Sequence, residues 1–307
     1  MNTTFGTTAN KSAFLKIGTE LDTPVTPTQA RNLFFPWEVE RRGLYTSDFD
    51  TVASHVAHIR NDTEDVIGVV GANSATLTNE TFCDILEGTG LRVSAGGVDN
   101  NGGSLWMLLE MGRNDELFAT DPHLRFLLAR TSHDGSGALV TRPLTERLFC
   151  KNQFSSLRKA KGIPGEVTLR HTRHANNRVA DAKKAIAKAY DAHAAMDRDI
   201  LRMLDTNRYS LGGLITETFG ARPTATVSDE GKVNDRKGIN WDKRFEEIAA
   251  VFASDTCANI ADSDYGKVMA INEWEINRDT KPGSATSARR VIAGLKATAK
   301  ATNLVLA

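Results

Sequence analysis

Arg170, His171, Thr172, Arg173 and His174 form the group of side chains that offers the most chemistry in this sequence of 307 residues. Arginine can hold two phosphate oxygens through parallel hydrogen bonds, and an imidazole adds a further donor. Histidines three residues apart could also ligate a metal, but no third ligand is near and the neighbouring cations oppose a divalent ion. A histidine of this group acting as a general base is a further alternative. We favour phosphate contacts, with a solvated basic turn as the alternative.

Four residues form a second hypothesis, in which the protein is an enzyme acting on a phosphorylated or nucleic-acid substrate. They are His133, Asp134, Asn152 and His171. His133 and Asp134 belong to the segment HDGSG, where Asp-Gly is also the strongest kind of short turn signal, and a turn is the simpler interpretation. The motifs GxxxxGK[ST], GxSxG and HExxH are absent, as is GxGxxG after a strand. We therefore assign no catalytic residue, no metal and no cofactor.

The three cysteines, Cys83, Cys150 and Cys257, are widely spaced and form no CxxC pair. This usage predicts reduced thiols in a cytoplasmic protein, with neither a disulfide framework nor a zinc site. Cys150 precedes Lys151, which could activate a thiolate, but cysteine is more often a small buried residue. No apolar run reaches the roughly 18 residues of a membrane span, and the N-terminus has no secretory pattern. We therefore expect no membrane partner.

The charge of the chain is balanced in total but uneven along its length. Lys and Arg number 38, as do Asp and Glu, and the fractions of charged (25%) and hydrophobic (40%) residues exclude wholesale disorder and coiled-coil rods. From Arg142 to Tyr190, twelve basic residues face three acidic ones, a net charge of +9. From Lys281 to Ala307 the net charge is +5, so the remainder carries −14. Such asymmetry bears on the choice of partner.

The larger of these basic blocks predicts nucleic-acid binding through phosphate contacts that weaken steeply with salt. Few aromatic residues accompany it, so binding should depend little on base sequence. The candidate contact residues are Arg142, Arg147, Lys151, Asn152, Arg158, Lys159, Lys161, Arg170, His171, Arg173 and Arg178. The alternative is that the block pairs with acidic residues of the same chain or of a neighbouring subunit.

Two hairpins are expected in the middle of the chain. The strands 91–98 and 104–112 flank DNNGG, and the strands 124–132 and 138–150 flank HDGSG. Asn-Gly and Asp-Gly supply the backbone conformations that hairpin turns need. Pro143 removes a ladder hydrogen bond, so its strand should lie at an edge, be bulged or end there.

Helices are predicted around these hairpins. Thr78 or Asn79 can cap a helix that ends at Gly88, after a buried strand at 66–71. Apolar residues recur every three or four positions over residues 175–207, and this spacing predicts a long amphipathic helix. A short strand at 167–172 precedes it.

The sum is an α+β fold: an antiparallel β-meander of two hairpins packed by a long amphipathic helix, with a helical C-terminal region. We expect an N-terminal arm at 1–35, an α+β core at 36–207 and a helical region at 208–307 with a basic last helix. One-sided helices are expected at 241–252 and 265–274.

Seven short segments give the chain a resemblance to a known family. They are PWEVERRG, VIGVVGANSATLTNETF, GGSLWMLLEM, TSHDGSGAL, RLFCKNQFSSL, LRHTRHANNRVADAKKA and DYGKVMAINEWE. In this order they resemble the phage/plasmid-like protein family, domain of unknown function 932. The resemblance implies an intracellular protein of a mobile element and supplies no activity. The element order also resembles phage single-strand annealing proteins, which oligomerise and hold single strands in a basic groove.

Three functions follow as hypotheses. The first is a homo-oligomeric protein that binds or anneals single-stranded DNA in recombination or replication, in the cytoplasm of a bacterial host. The second is the enzyme described above. The third is a host-takeover module that binds an acidic protein partner through the basic block.

Overall fold

The computed structural model places most of the chain. The residues it describes are 18–113, 121–147, 153–154, 165–169, 179–278, 290–291 and 295–307.

The strands of the described residues are, in chain order, β1 (Thr19–Val25), β2 (Val39–Tyr45), β3 (Thr51–Arg60), β4 (Val66–Gly71), β5 (Arg92–Asp99), β6 (Ser104–Arg113), β7 (His123–Ser132), β8 (Leu139–Arg147), β9 (Gln153–Phe154), β10 (Val167–Leu169), β11 (Thr226–Val227) and β12 (Val233–Asn234). The helices are α1 (Pro27–Phe34), α2 (Asn79–Glu87), α3 (Val179–Leu204), α4 (Leu211–Phe219), α5 (Arg236–Phe252), α6 (Asp264–Asn277) and α7 (Lys296–Leu306). The predicted α+β fold with antiparallel sheets is confirmed.

The main sheet has the order β1-β5-β6-β7-β8-β10, and β9 also pairs with β8. All of its neighbours are antiparallel, and both predicted hairpins, β5–β6 and β7–β8, are present. In the first turn, Asn100 and Asn101 adopt positive φ angles of 52°. In the second turn, the Asp134 carboxylate accepts a hydrogen bond from the Ser136 amide at 2.8 Å. Local turn chemistry therefore sets the register of the central strands.

Helices cover both faces of the main sheet, so its central strands are apolar on both sides. On β6, Leu105, Met107 and Leu109 face a cluster formed with α1 and α2. Trp106 and Leu108 face the opposite cluster, formed with the second half of α3 and the C-terminal helices. Strands buried on two faces lack the alternation of a half-exposed sheet.

Pro143 lies within β8, and the strand continues through it. The residue is paired with Leu127 of β7. On the other side of β8, β10 pairs with residues 139–141 and β9 with Thr145 and Glu146. Pro143 falls between these two short neighbours, so neither of them needs the N–H that proline lacks.

A separate three-stranded sheet has the order β2-β3-β4. The prediction that residues 66–71 form a strand is confirmed, but the prediction that this strand is buried is wrong. Val66 and Val69 are exposed. Because β4 is an edge strand of this small sheet, only Val70 is buried, and its neighbours face solvent.

The structure describes the N-terminal arm expected at 1–35 only in its second half. Its described part, from residue 18, forms β1, which pairs with β5 at the edge of the main sheet, and α1. The Thr26 hydroxyl accepts a hydrogen bond from the Gln29 amide, and the Gln29 side chain accepts one from the Thr26 amide. This reciprocal cap and the buried Ala30 tie the segment to the core.

The C-terminal region packs around α6. Twelve of its fourteen residues are buried, so the expected one-sided helix at 265–274 is instead a central helix surrounded by neighbours. The Glu275 carboxylate of α6 accepts hydrogen bonds from the amides of Ala297 and Thr298, which fixes the start of α7. The same apolar cluster contains residues of the sheet and of these helices, so the two regions share one core.

Candidate functional site

One edge of the main sheet gathers separate parts of the basic block. Both β9 and β10 pair with β8. Gly165, just before β10, packs between β8 and α3, where an added Cβ atom would lie 2.7 Å from Ala192 Cβ, 2.9 Å from the Lys188 carbonyl oxygen and 3.1 Å from Pro143 Cγ. We call this surface, made of β8, β9, β10 and the first half of α3, the β8 edge.

Gly165→Ala is expected to destabilise the protein through this close packing. The residue has a φ of +76°, and Gly231, with a φ of +77°, has no atom within 4 Å of an added Cβ. Gly231→Ala is therefore the matched control, which introduces only the left-handed strain of about 1 kcal/mol. Gly165→Ala should cost about 1–3 kcal/mol more because of the clash. Equal losses in urea denaturation would contradict the packing of Gly165 against α3.

Arg142 lies at the β8 edge, but an acidic residue already pairs with it. Its Nε donates to Glu166 Oε2 at 2.8 Å, and its side chain is only 13% exposed. This contact matches the alternative of pairing within the chain. Arg142 can contact a phosphate only if its ion pair with Glu166 breaks.

The exposed cations of the β8 edge that the structure describes are Lys184 and Lys188, one turn apart on α3. Tyr190 on the same helix is 46% exposed. The spacing of four places both ammonium groups on one face of the helix. This face can hold successive phosphates, whereas Tyr190 follows Lys188 by two residues and therefore projects from a different side of α3.

Most of the predicted contact residues lie outside the described residues: Lys151, Asn152, Arg158, Lys159, Lys161, Arg170, His171, Arg173 and Arg178. Several of them are close in sequence to described elements of the β8 edge. Asn152 immediately precedes β9, Arg170 immediately follows β10, and Arg178 immediately precedes α3.

Arg147 is a predicted contact residue that the structure places in the interior. Its side chain is 0% exposed, as is that of Asp121. Its Nε lies 2.8 Å from Asp121 Oδ2, its Nη2 2.9 Å from Oδ1, and its Nη2 also donates to the Thr256 carbonyl at 3.0 Å. In this fold Arg147 cannot contact an external phosphate. Instead it links β8 to the C-terminal region.

Asp121, His123, Arg147 and Tyr265 form a buried polar cluster that the sequence analysis missed. His123 Nε2 lies 3.1 Å from Asp121 Oδ2 and 3.0 Å from the Tyr265 hydroxyl. Burial alone would raise the pKa of Asp121, but the hydrogen bond from His123 and the Arg147 charge hold it below its usual value. His123 and Tyr265 are 142 residues apart, so no local pattern could have revealed the cluster.

His133 and Asp134 do not face each other. The His133 ring is buried, and its Nε2 lies 2.8 Å from Asn79 Oδ1, while Asp134 forms the turn described above. The Asn79 side-chain Nδ2 donates to the Trp37 carbonyl at 2.6 Å, and the Trp37 ring meets His133 edge-on. Trp37, Asn79 and His133 belong to three of the seven segments that carry the family resemblance, so these three segments are in contact at His133. The contacts are those of a structural node and favour the turn interpretation; Asn152 and His171 lie outside the described residues.

A small cavity lies on the main sheet beside β1. Its volume is about 110 Å³, and the residues that line it include Glu20, Asp22, Glu110 and Glu146 together with apolar residues such as Trp106. Burial raises the pKa of Glu110. A cavity rich in carboxylates repels phosphate, so this region is unsuited to the proposed polyanionic ligand.

Other kinds of site find little support among the described residues. Cys83 and Cys257 are free and buried, and burial raises the pKa of the Cys83 thiol to about 12. No group of three or more His, Cys, Asp or Glu side chains there is arranged to hold a metal ion. In the same part of the chain, every helix is too short or too polar to cross a bilayer.

No curated protein and no solved structure matches the chain. The model of the family described as "Domain of unknown function (DUF932)" matches residues 66–301. This range contains both hairpins, the β8 edge and the buried Arg147 cluster, and it covers more than half of the chain. The chain therefore belongs to the domain of unknown function 932 family.

Proposed function

We propose that this protein binds nucleic acid along the β8 edge. The observation that carries the proposal is topological: β9, β10 and α3, which border the most basic stretches of the sequence, meet at one edge of the main sheet. Lys184 and Lys188 are exposed there. A row of cations at one edge attracts a phosphate backbone and releases its counterions.

The architecture favours contacts with the backbone over stacking of bases. Helices cover both faces of the main sheet, so its apolar side chains offer no open platform for bases. Arg142 and Arg147 are engaged with carboxylates, so the contacts fall to other residues of the block. Binding of this kind varies little with base sequence and strongly with salt.

The test is the double variant Lys184→Glu/Lys188→Glu. Fluorescence anisotropy with a labelled oligonucleotide at several salt concentrations should show affinity lowered about tenfold, equally for unrelated sequences. For a single strand, the slope of log affinity against log salt should flatten by about 1.4, which is about 0.7 for each of two lost phosphate contacts.

The matched control is Lys232→Glu/Lys237→Glu, which makes the same charge change at two exposed lysines near β12 and the start of α5. It should retain the affinity and the salt slope of the wild type. If both double variants weaken binding equally, only the net charge matters and the β8 edge is not the site. If neither does, the proposal is wrong.

We further propose that the natural ligand is single-stranded DNA, and that the protein anneals strands in the recombination or replication of a phage or other mobile element. The resemblance of the motif segments and of the element order supports this finer assignment. A gel shift should then show tighter binding to single strands than to duplex of equal length, and the protein should speed the pairing of complementary strands. Tighter binding to duplex would contradict it.

A further inference from the structure

The hairpin of β2 and β3 projects from the body of the protein. None of residues 40–56 is buried, although Leu44, Val52 and Val56 are apolar and half-exposed. We call these residues the β2–β3 arm. Among the described residues β4 pairs with β3 only from His55 onward, so residues 44–53 form a two-stranded hairpin, and such a hairpin by itself is marginally stable in water. Such an arm gains stability when another surface covers it.

The tip of the arm presents two aromatic rings. Phe49 is 86% exposed and Tyr45 is 64% exposed. The tip is held by hydrogen bonds from the Phe49 amide to the Thr46 carbonyl at 3.0 Å and from the Thr46 amide to the Asp50 carbonyl at 2.9 Å. Exposed aromatic residues on an ordered loop are typical anchors of protein interfaces.

The charge of the tip indicates what could cover it. Asp48 and Asp50 flank Phe49, and no Lys or Arg lies between Gly43 and Ser54. Arg42, nearer the body, is paired with Glu64. The acidic tip would repel a phosphate backbone and a second tip alike. It suits a basic surface with some apolar area.

We propose that the β2–β3 arm of one copy of this protein docks on the β8 edge of a second copy. The carboxylates of Asp48 and Asp50 meet the ammonium groups of Lys184 and Lys188, and Phe49 packs against the methylene chains of these lysines. The opposite signs of the tip and the edge, both present in every chain, make the contact self-complementary without pairing two tips. The interface concerns self-association and does not require nucleic-acid binding.

The first test is the mass of nuclease-treated protein by sedimentation velocity. Wild type at about 0.1 mM should exceed the mass of a monomer and move towards it as salt rises, because the contact is charged. Phe49→Ala should weaken self-association at least about tenfold, as expected for an aromatic anchor. Since Phe49 is not buried, the melting temperature of the variant should stay close to that of the wild type.

Charge exchange identifies the two surfaces. Asp48→Lys/Asp50→Lys and Lys184→Glu/Lys188→Glu should each lower self-association, and an equimolar mixture of the two variants should restore it because each altered surface then meets an oppositely charged one. Lys232→Glu/Lys237→Glu should associate like the wild type. A monomeric wild type, undiminished association of Phe49→Ala, or a mixture that stays monomeric would overturn the proposal.

Failure of this inference is distinguishable from failure of the proposed function. Phe49→Ala leaves the β8 edge intact, so it should dissociate the copies while each protomer still binds oligonucleotide. If Lys184→Glu/Lys188→Glu abolishes association but not oligonucleotide binding, the interface stands and the proposed function fails.

Discussion

Asp121→Asn is expected to destabilise the protein by about 3–5 kcal/mol, because it leaves the Arg147 cation buried without its counter-charge. Both side chains are 0% exposed, and the cluster reaches Thr256 and Tyr265 of the C-terminal region. The substitution preserves the shape of the side chain, so the loss reports on charge and not on a cavity. Urea denaturation at neutral pH measures it.

The control for this prediction is an ion pair at the surface. Asp242→Asn removes the carboxylate that lies 2.8 Å from Arg222 Nε in an exposed pair. Its loss should be much smaller, because water already solvates both groups. Asp121→Asn combined with Arg147→Met should cost less than the two single substitutions added together. Simple additivity would show that the buried pair does not act as a unit.

Acid is expected to destabilise the protein between about pH 6.5 and pH 4 through His193. The side chain is buried, and its Nε2 lies 3.2 Å from the Phe126 carbonyl and its Nδ1 3.3 Å from the Thr145 hydroxyl. Burial lowers the pKa of His193 from 6.5 to about 4. In this pH range His193 therefore binds a proton in the unfolded chain but stays neutral in the folded protein. The free energy of unfolding therefore decreases as the pH is lowered from 6.5 to 4, by about 3 kcal/mol in total.

His193→Gln can keep the hydrogen bond to Phe126 and removes the titrating group. The plot of unfolding free energy against pH should become flatter between pH 4 and 6.5, whatever the stability of the variant at neutral pH. His55→Gln replaces an exposed imidazole on β3 and should leave the slope as it is in the wild type. A slope that His193→Gln does not change would assign the acid sensitivity to other groups. Buried His58, whose pKa burial also lowers, is the first of these.

The proposed interface depends on charge that the linear sequence locates only in part. The sequence identifies the basic block, but it cannot say which arginines face solvent. Arg142 and Arg147 look equivalent in sequence, yet one is paired with Glu166 near the surface and the other is buried with Asp121. Their partners lie 24 and 26 residues away, which no local rule predicts.

Local chemistry determined much of the fold. The Asn-Gly and Asp-Gly turns set both hairpins, the Thr78 hydroxyl caps α2 at the Thr81 amide, and the apolar period gives α3. Each of these depends on residues within a few positions of one another, so the sequence alone suffices.

Only the tertiary structure decided burial and pairing. It placed α6 at the centre of the helical region, exposed β4, added β1 to the sheet and buried Arg147. The physical reason is that desolvation and charge neutralisation are set by whichever distant segments arrive beside a residue, and packing brings those segments together only when the whole chain folds.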